Sequence, residues 1–187
     1  MSSKISEIKK YKKLLSHMFS EHDFSRYFNI DGKIMKYSEL SRYNNIEELL
    51  PHDKDFKIIL TETEPNTGHW CCLLRKDKKV IWFDSYSVPP DGELKFISRM
   101  MNKMLNQEVH QIHRLFKTCK QFGLVPDYNH YKYQAESDDI ATCGRWVTFF
   151  VLMSNLNYSL KEMHEFMERQ KFQTGKPLDI LVCDYII

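Results

Sequence analysis

No stretch of this 187-residue chain holds about 18 or more consecutive apolar residues, so no membrane-spanning helix is expected. The first residues are charged where a secretory leader is apolar. A disulfide framework is missing too. The five cysteines (Cys71, Cys72, Cys119, Cys143 and Cys183) are odd in number and form no paired pattern, which points to a reducing compartment and leaves room for a reactive thiol. Charge of one sign is not in excess: 27 basic against 25 acidic residues give a net charge of +2, which offers no global case for nucleic-acid binding. No repeat or low-complexity segment interrupts the chain. What is present, 42% hydrophobic and 13% aromatic residues, suits one globular domain with a sizeable core. Its expected organisation is a helical N-terminal region over 1–50, a central core over 55–155 and a helical C-terminal region over 156–187.

Residues 4–20 place Ile5, Ile8, Leu15 and Phe19 at helical spacing among Lys9, Lys10, Lys12 and Lys13, a helix with a basic outer face. Turn formers dominate 21–55, with a short helical piece at Ile46–Leu50. The apolar run Asp55–Leu60 reads as a strand, and Thr61–Gly68 as a polar loop. His69–Leu74 and Val80–Ser85, around the charged turn Arg75–Lys79, read as a buried β-hairpin. After Pro89-Pro90-Asp91-Gly92, one helix is expected over Glu93–Asn106, with Met100, Met101 and Met104 filling core space. Short strands are expected near Val109–Ile112 and Tyr131–Gln134. A helix follows from Cys143 to about Asn155, with Thr142 as its N-cap. Another spans Ser159–Gln170, opened by a Ser159/Glu162 capping box, and an apolar segment, Leu178–Ile187, closes the chain. The fold class is α+β: a small, mostly antiparallel sheet flanked by helices, one of them buried and carrying a cysteine at its N-terminus.

That cysteine is the centre of the chemistry. The polar loop before Cys143-Gly144 and the apolar run Trp146–Met153 after it put the thiol at a helix start. Unpaired N–H groups and a partial positive charge there lower a thiol pKa and can cradle an oxyanion. Gly144 leaves room for another backbone segment or a substrate carbonyl to approach closely. The hairpin brings His69, opening one strand, and Asp84, closing its partner, to one end of the sheet. A carboxylate can orient an imidazole, and an imidazole can keep a thiol ionised. Gln134 and the Cys143 N–H can serve the developing negative oxygen. The same residues also have structural readings: a buried cysteine, a strand-end histidine, a turn carboxylate and a solvated amide.

In the order His69-Trp70, Phe83-Asp84-Ser85, Gln134, Cys143-Gly144, the chain resembles the superfamily of the adenovirus protease (adenain) and the SUMO-specific proteases, over roughly residues 55–155. The resemblance implies a cysteine endopeptidase: His69 the base, Asp84 its orienting carboxylate, Gln134 the oxyanion donor, Cys143 the nucleophile and Trp70 a wall beside the imidazole. In that family the Gln precedes the Cys by about six or seven positions, whereas Gln134 precedes Cys143 by nine, so either the loop Ala135–Thr142 bulges or another donor serves. The short chain looks most like the capsid-maturation proteases of virophages and Maverick-type elements. This implies capsid or other virion precursors as substrate, a location in the virion or the host cytoplasm (the viral factory), and no cofactor. The alternative is a protease that removes ubiquitin-like modifiers such as SUMO or ubiquitin. A monomer is expected, as is no membrane partner. DNA is a possible stimulator through Lys9–Lys13 and Arg75–Lys79. No metal is expected, because His110 and His113 with Cys119 match no zinc spacing.

Overall fold

The computed structural model describes residues 2–187, with side chains from residue 9 onward. Its centre is a meander of three antiparallel strands, β2 (Phe56–Glu64), β3 (Thr67–Lys76) and β4 (Lys79–Phe83). Both hairpins are tighter than the sequence suggests. The expected loop at Thr61–Gly68 is mostly strand, turning at Pro65-Asn66, and the charged turn contracts to Asp77-Lys78.

Two short edge strands complete a five-stranded sheet in the order β1-β2-β3-β4-β5. Strand β1 (Ile34–Lys36) pairs parallel with β2, and β5 (Val125–Tyr128) pairs parallel with β4. The sheet is therefore mixed, where a mostly antiparallel one was expected. The reason is connection length. Long segments separate β1 from β2 and β4 from β5, and crossovers of that kind deliver parallel neighbours, whereas tight turns deliver antiparallel ones. Pro126 sits in edge strand β5, a position at which a missing N–H is tolerated.

Helices cover both faces: α1 (Ser2–Ser16), α2 (Glu21–Ser25), α3 (Ile46–Leu49), α4 (Arg99–Met104), α5 (Gln111–Phe116), α6 (Cys143–Asn155), α7 (Leu160–Thr174) and α8 (Leu178–Tyr185). Strand alternation divides the apolar side chains between two cores. Ile58, Trp70, Cys72, Leu74 and Phe83 pack against Trp146, Val147 and Phe150 of α6. Ile59, Cys71, Leu73 and Trp82 pack on the other face against Leu40, Leu49, Ile112 and Leu115. Phe83 and Phe150 stack with ring centroids 4.4 Å apart, fixing α6 to the sheet.

Several local expectations need correction. The single helix over 93–106 is a 3-10 turn (Gly92–Phe96) and then α4, because Ile97 is extended and Ser98 starts a new helix by accepting from the Met101 N–H at 3.2 Å. Met100 and Met104 are exposed, and Asn102 is the buried residue of α4. Val109–Ile112 leads into α5 and is not a strand, and Tyr131–Gln134 forms no strand. The Ser159/Glu162 capping box is present, and α7 continues to Thr174 before Gly175 ends it at φ +68°. Ile5 and Ile8, expected on the inner face of α1, lie outside the residues whose side chains are described. Leu15 is half-buried, and Ala141 donates its N–H to the Leu15 carbonyl at 2.7 Å.

Candidate active site

The antiparallel register of β3 and β4 assembles half of the site. Cys72 pairs with Phe83; continued outward, that register sets Cys71 beside Asp84 and His69 beside Tyr86. Asp84 is fully buried, and its Oδ2 lies 3.3 Å from His69 Nε2 and 3.4 Å from the Cys71 thiol that donates to it. Its Oδ1 accepts from the Tyr86 N–H at 2.6 Å. The imidazole stacks on the Tyr86 ring, with centroids 5.0 Å apart. His69 Nε2, although close to the carboxylate, makes no hydrogen bond in this arrangement.

The other half comes from the loop before α6 and from the helix itself. Cys143 is the first residue of α6, as the sequence implies. Thr142 occupies the cap position without capping; its hydroxyl donates to Asp179 of α8 instead. Asp179 also accepts from Trp146 Nε1 at 3.1 Å and from the Ala135 N–H at 2.9 Å, so one buried carboxylate ties together the helix start, the Gln134 loop and the C-terminal helix. Gln134 is buried, its Oε1 accepting from Ser85 Oγ at 2.8 Å and its Nε2 donating to the Ile140 carbonyl at 3.0 Å. Residues 135–142 fold back through an Ile140 N–H to Ser137 carbonyl turn, which returns Ile140 to Gln134.

His69, Gln134 and Cys143 line one cleft of about 550 Å³. A second cleft of about 450 Å³, lined by Phe19, Leu60 and Trp70, meets it at Met18, Gly68 and Cys143. The thiol therefore stands at the junction of two depressions.

Two assignments change. Trp70 lies on the face of β3 opposite His69, its Nε1 donating to the Phe19 carbonyl at 2.8 Å and its ring edge-on to Phe24. The aromatic wall beside the imidazole is Tyr86. Gly144 is buried under Phe19: a Cβ there would lie 2.4 Å from Phe19 Cβ, so its missing side chain admits the N-terminal segment, not a substrate.

Glu93, on the 3-10 turn after the Pro89-Pro90 break, was not foreseen. Its Oε1 lies 3.9 Å from His69 Nε2, and it faces the same cleft. Burial raises its carboxyl pKa to about 8, with the neighbouring Asp84 charge acting in the same direction. Burial opposes charge on His69 as well, but Cys71, Glu93 and Asp84 outweigh it and hold the imidazole pKa well above its ordinary value. Burial likewise works against ionised Asp84, yet the facing His69 keeps its pKa below normal. Each partner thus favours the charged form of the other. Tyr86, chiefly through burial, is pushed up to about 12 and stays neutral.

The other flagged residues fall elsewhere. His110 and His113 group with Asp91, while Cys119 is buried in the core beyond the sheet. Of the hairpin cations, Arg75 binds Glu47 and the carbonyls of Leu50 and Pro51, Lys76 the Tyr158 carbonyl, and Lys79 Asp127. Lys9, Lys10, Lys12 and Lys13 on α1 are exposed. Among the described residues, no helix is long and apolar enough to cross a membrane.

No protein-family model matches the chain, and no solved structure matches it. The chain is similar to the uncharacterized protein V9 of Sputnik virophage, 31% identical over 161 residues that span 84% of this chain and 87% of V9. Identity at that level across most of both chains makes the relationship a common fold and descent: the chain belongs to the family of the Sputnik virophage protein V9.

Proposed function

We propose that the protein is a cysteine endopeptidase that trims virion precursor proteins during particle maturation. The observation that carries this reading is a buried His69–Asp84 pair, Nε2 to Oδ2 at 3.3 Å, with His69 sharing a cleft with a cysteine at the N-terminus of a 13-residue buried helix. Nε2 is the nitrogen that faces Asp84, which leaves Nδ1 as the nitrogen able to serve the thiol. With His69 biased toward its charged form, a proton is held beside the cleft for the leaving group, and the helix end offers N–H donors to a developing negative oxygen.

The thiolate attacks the scissile carbonyl, forming the C–S bond as the carbonyl π electrons move to oxygen. The Cys143 N–H and the second N–H of Gln134 Nε2 meet that oxygen. His69 passes its proton to the leaving amine, and the C–N bond breaks. Water then attacks the thioester with His69 as base, releasing the acid and restoring the thiol. Two depressions meeting at the thiol suit an extended chain whose residues on either side of the scissile bond occupy one each. Membership in a virophage protein family favours a virion precursor as that chain.

The test is incubation of wild type and Cys143→Ala with the virophage capsid proteins, read by intact mass. Site-specific trimming by wild type and none by Cys143→Ala is expected. Gln134→Ala should retain binding and lose about 10²–10³-fold in kcat. Cleavage of a ubiquitin-like fusion with capsid proteins untouched would move the substrate to modified proteins. Inertness toward both, with no alkylation of Cys143 by a peptidyl vinyl sulfone, would overturn the reading.

A further inference from the structure

Behind the imidazole lies a group of donors larger than a catalytic triad requires. Cys71 and Asp84 are fully buried, and His69 Nε2 is buried without a hydrogen bond. A donor atom from each of these three lies within 4.8 Å of the other two. Glu93 brings a fourth, 3.9 Å from Nε2 and on the cleft side.

The spacings match a metal's coordination sphere. Zinc binds nitrogen at about 2.0–2.1 Å, oxygen at about 2.0–2.2 Å and thiolate sulfur at about 2.3 Å, so tetrahedral geometry sets N···O edges near about 3.4 Å and S···O edges near about 3.6 Å. The corresponding edges are 3.3 Å (His69 Nε2 to Asp84 Oδ2) and 3.4 Å (Cys71 Sγ to Asp84 Oδ2). The Glu93 edge, at 3.9 Å, closes with a shift of about half an ångström, which a side chain facing open cleft can make. One imidazole, one thiol and two carboxyls favour a borderline-soft divalent ion over magnesium or calcium, which take oxygen ligands.

The geometry points to a binding site for zinc-like divalent cations formed by His69, Cys71, Asp84 and Glu93, which holds His69 away from catalysis when filled. The binding half of this inference stands without the peptidase reading; the inhibitory half rests on it. Binding displaces the protons of Cys71 and Glu93 and takes neutral His69, so affinity rises with pH. The metal reaches the site from the cleft, past Glu93. Cys143, the nucleophile, is not a ligand, which separates this site from a metal caught between the catalytic thiol and imidazole.

The experiment is titration of the full chain with Co²⁺, followed by the thiolate-to-cobalt charge-transfer absorption, and then displacement with Zn²⁺. Wild type and Cys143→Ala should both show the band, and Cys71→Ser should lose it. Glu93→Gln, whose side chain lies at the cleft, serves as the variant least able to disturb folding. It should weaken Co²⁺ binding by at least the about 10–100-fold that losing a supporting partner costs. A band lost in Cys143→Ala and kept in Cys71→Ser would overturn the assignment, as would no band in wild type. If peptidase activity is found, Zn²⁺ should abolish it, and Glu93→Gln should raise the inhibitory concentration by the same factor as its binding loss. If none is found, the absorption result decides the site alone.

Discussion

Glu93 shows how one side chain reshapes a site made of familiar parts. Two carboxyls beside one imidazole cannot both ionise cheaply, and here Asp84 carries the charge while Glu93 keeps its proton to about pH 8. The unfolded chain releases that proton near the ordinary value of 4.5. Because the folded state holds the proton more tightly, Glu93 contributes stability below pH 4.5 that is lost as the pH climbs to about 8. Glutamine resembles the protonated form at every pH. We therefore expect Glu93→Gln to match wild type in urea unfolding near pH 4 and to gain on it steadily between about pH 5 and 8. Parallel curves would mean that Glu93 ionises freely.

At the scale of the element, α6 decides where the thiol stands, and its position is secured from three sides. Arg145, 1% exposed, donates to the carbonyls of His17 at 3.1 Å and Ile186 at 3.1 Å, and lies over the Phe19 ring. The N- and C-terminal segments are thereby clasped to the first turn of α6. Asp179 fixes the approach to that turn, and Phe19 covers Gly144. Gly144→Ala inserts a methyl into space that Phe19 already fills, a case of overpacking. We expect a loss of about 1–3 kcal/mol in urea unfolding, with restoration by a compensating Phe19→Leu. A fully stable Gly144→Ala would show that Phe19 is free to move aside.

Across the whole molecule, the N-terminal region belongs to the site. Residues 17–20 supply the carbonyls that satisfy Arg145 and Trp70 Nε1, and Met18 stands where the two clefts meet. Removing residues 1–20 leaves two buried donors unpaired, each costing about 1–3 kcal/mol. The truncated chain should unfold at markedly lower urea and fail to react with a thiol-directed peptide probe. The cations left for DNA stimulation are the exposed lysines of α1 together with Lys78 at the hairpin turn, since Arg75, Lys76 and Lys79 already have partners.

Much of the candidate site was legible from residue order alone. A hairpin imposes its register locally, so His69 and Asp84 meet through chain geometry, and Cys143 opens α6 because polar sequence gives way to apolar sequence at that point. The capping box of α7 is likewise a matter of neighbours in sequence. Tertiary structure decided the rest. Strands of three and four residues, β1 and β5, carry no usable periodicity, so the mixed sheet emerges only once the central hairpins offer edges to pair with. Glu93, Asp179, the stacking of Tyr86 on His69 and the burial of Gly144 under Phe19 join residues whose environment is set by distant segments. The chemical types of the site are written in the chain by short-range order, whereas its charges and walls depend on which remote surfaces come to exclude water from them.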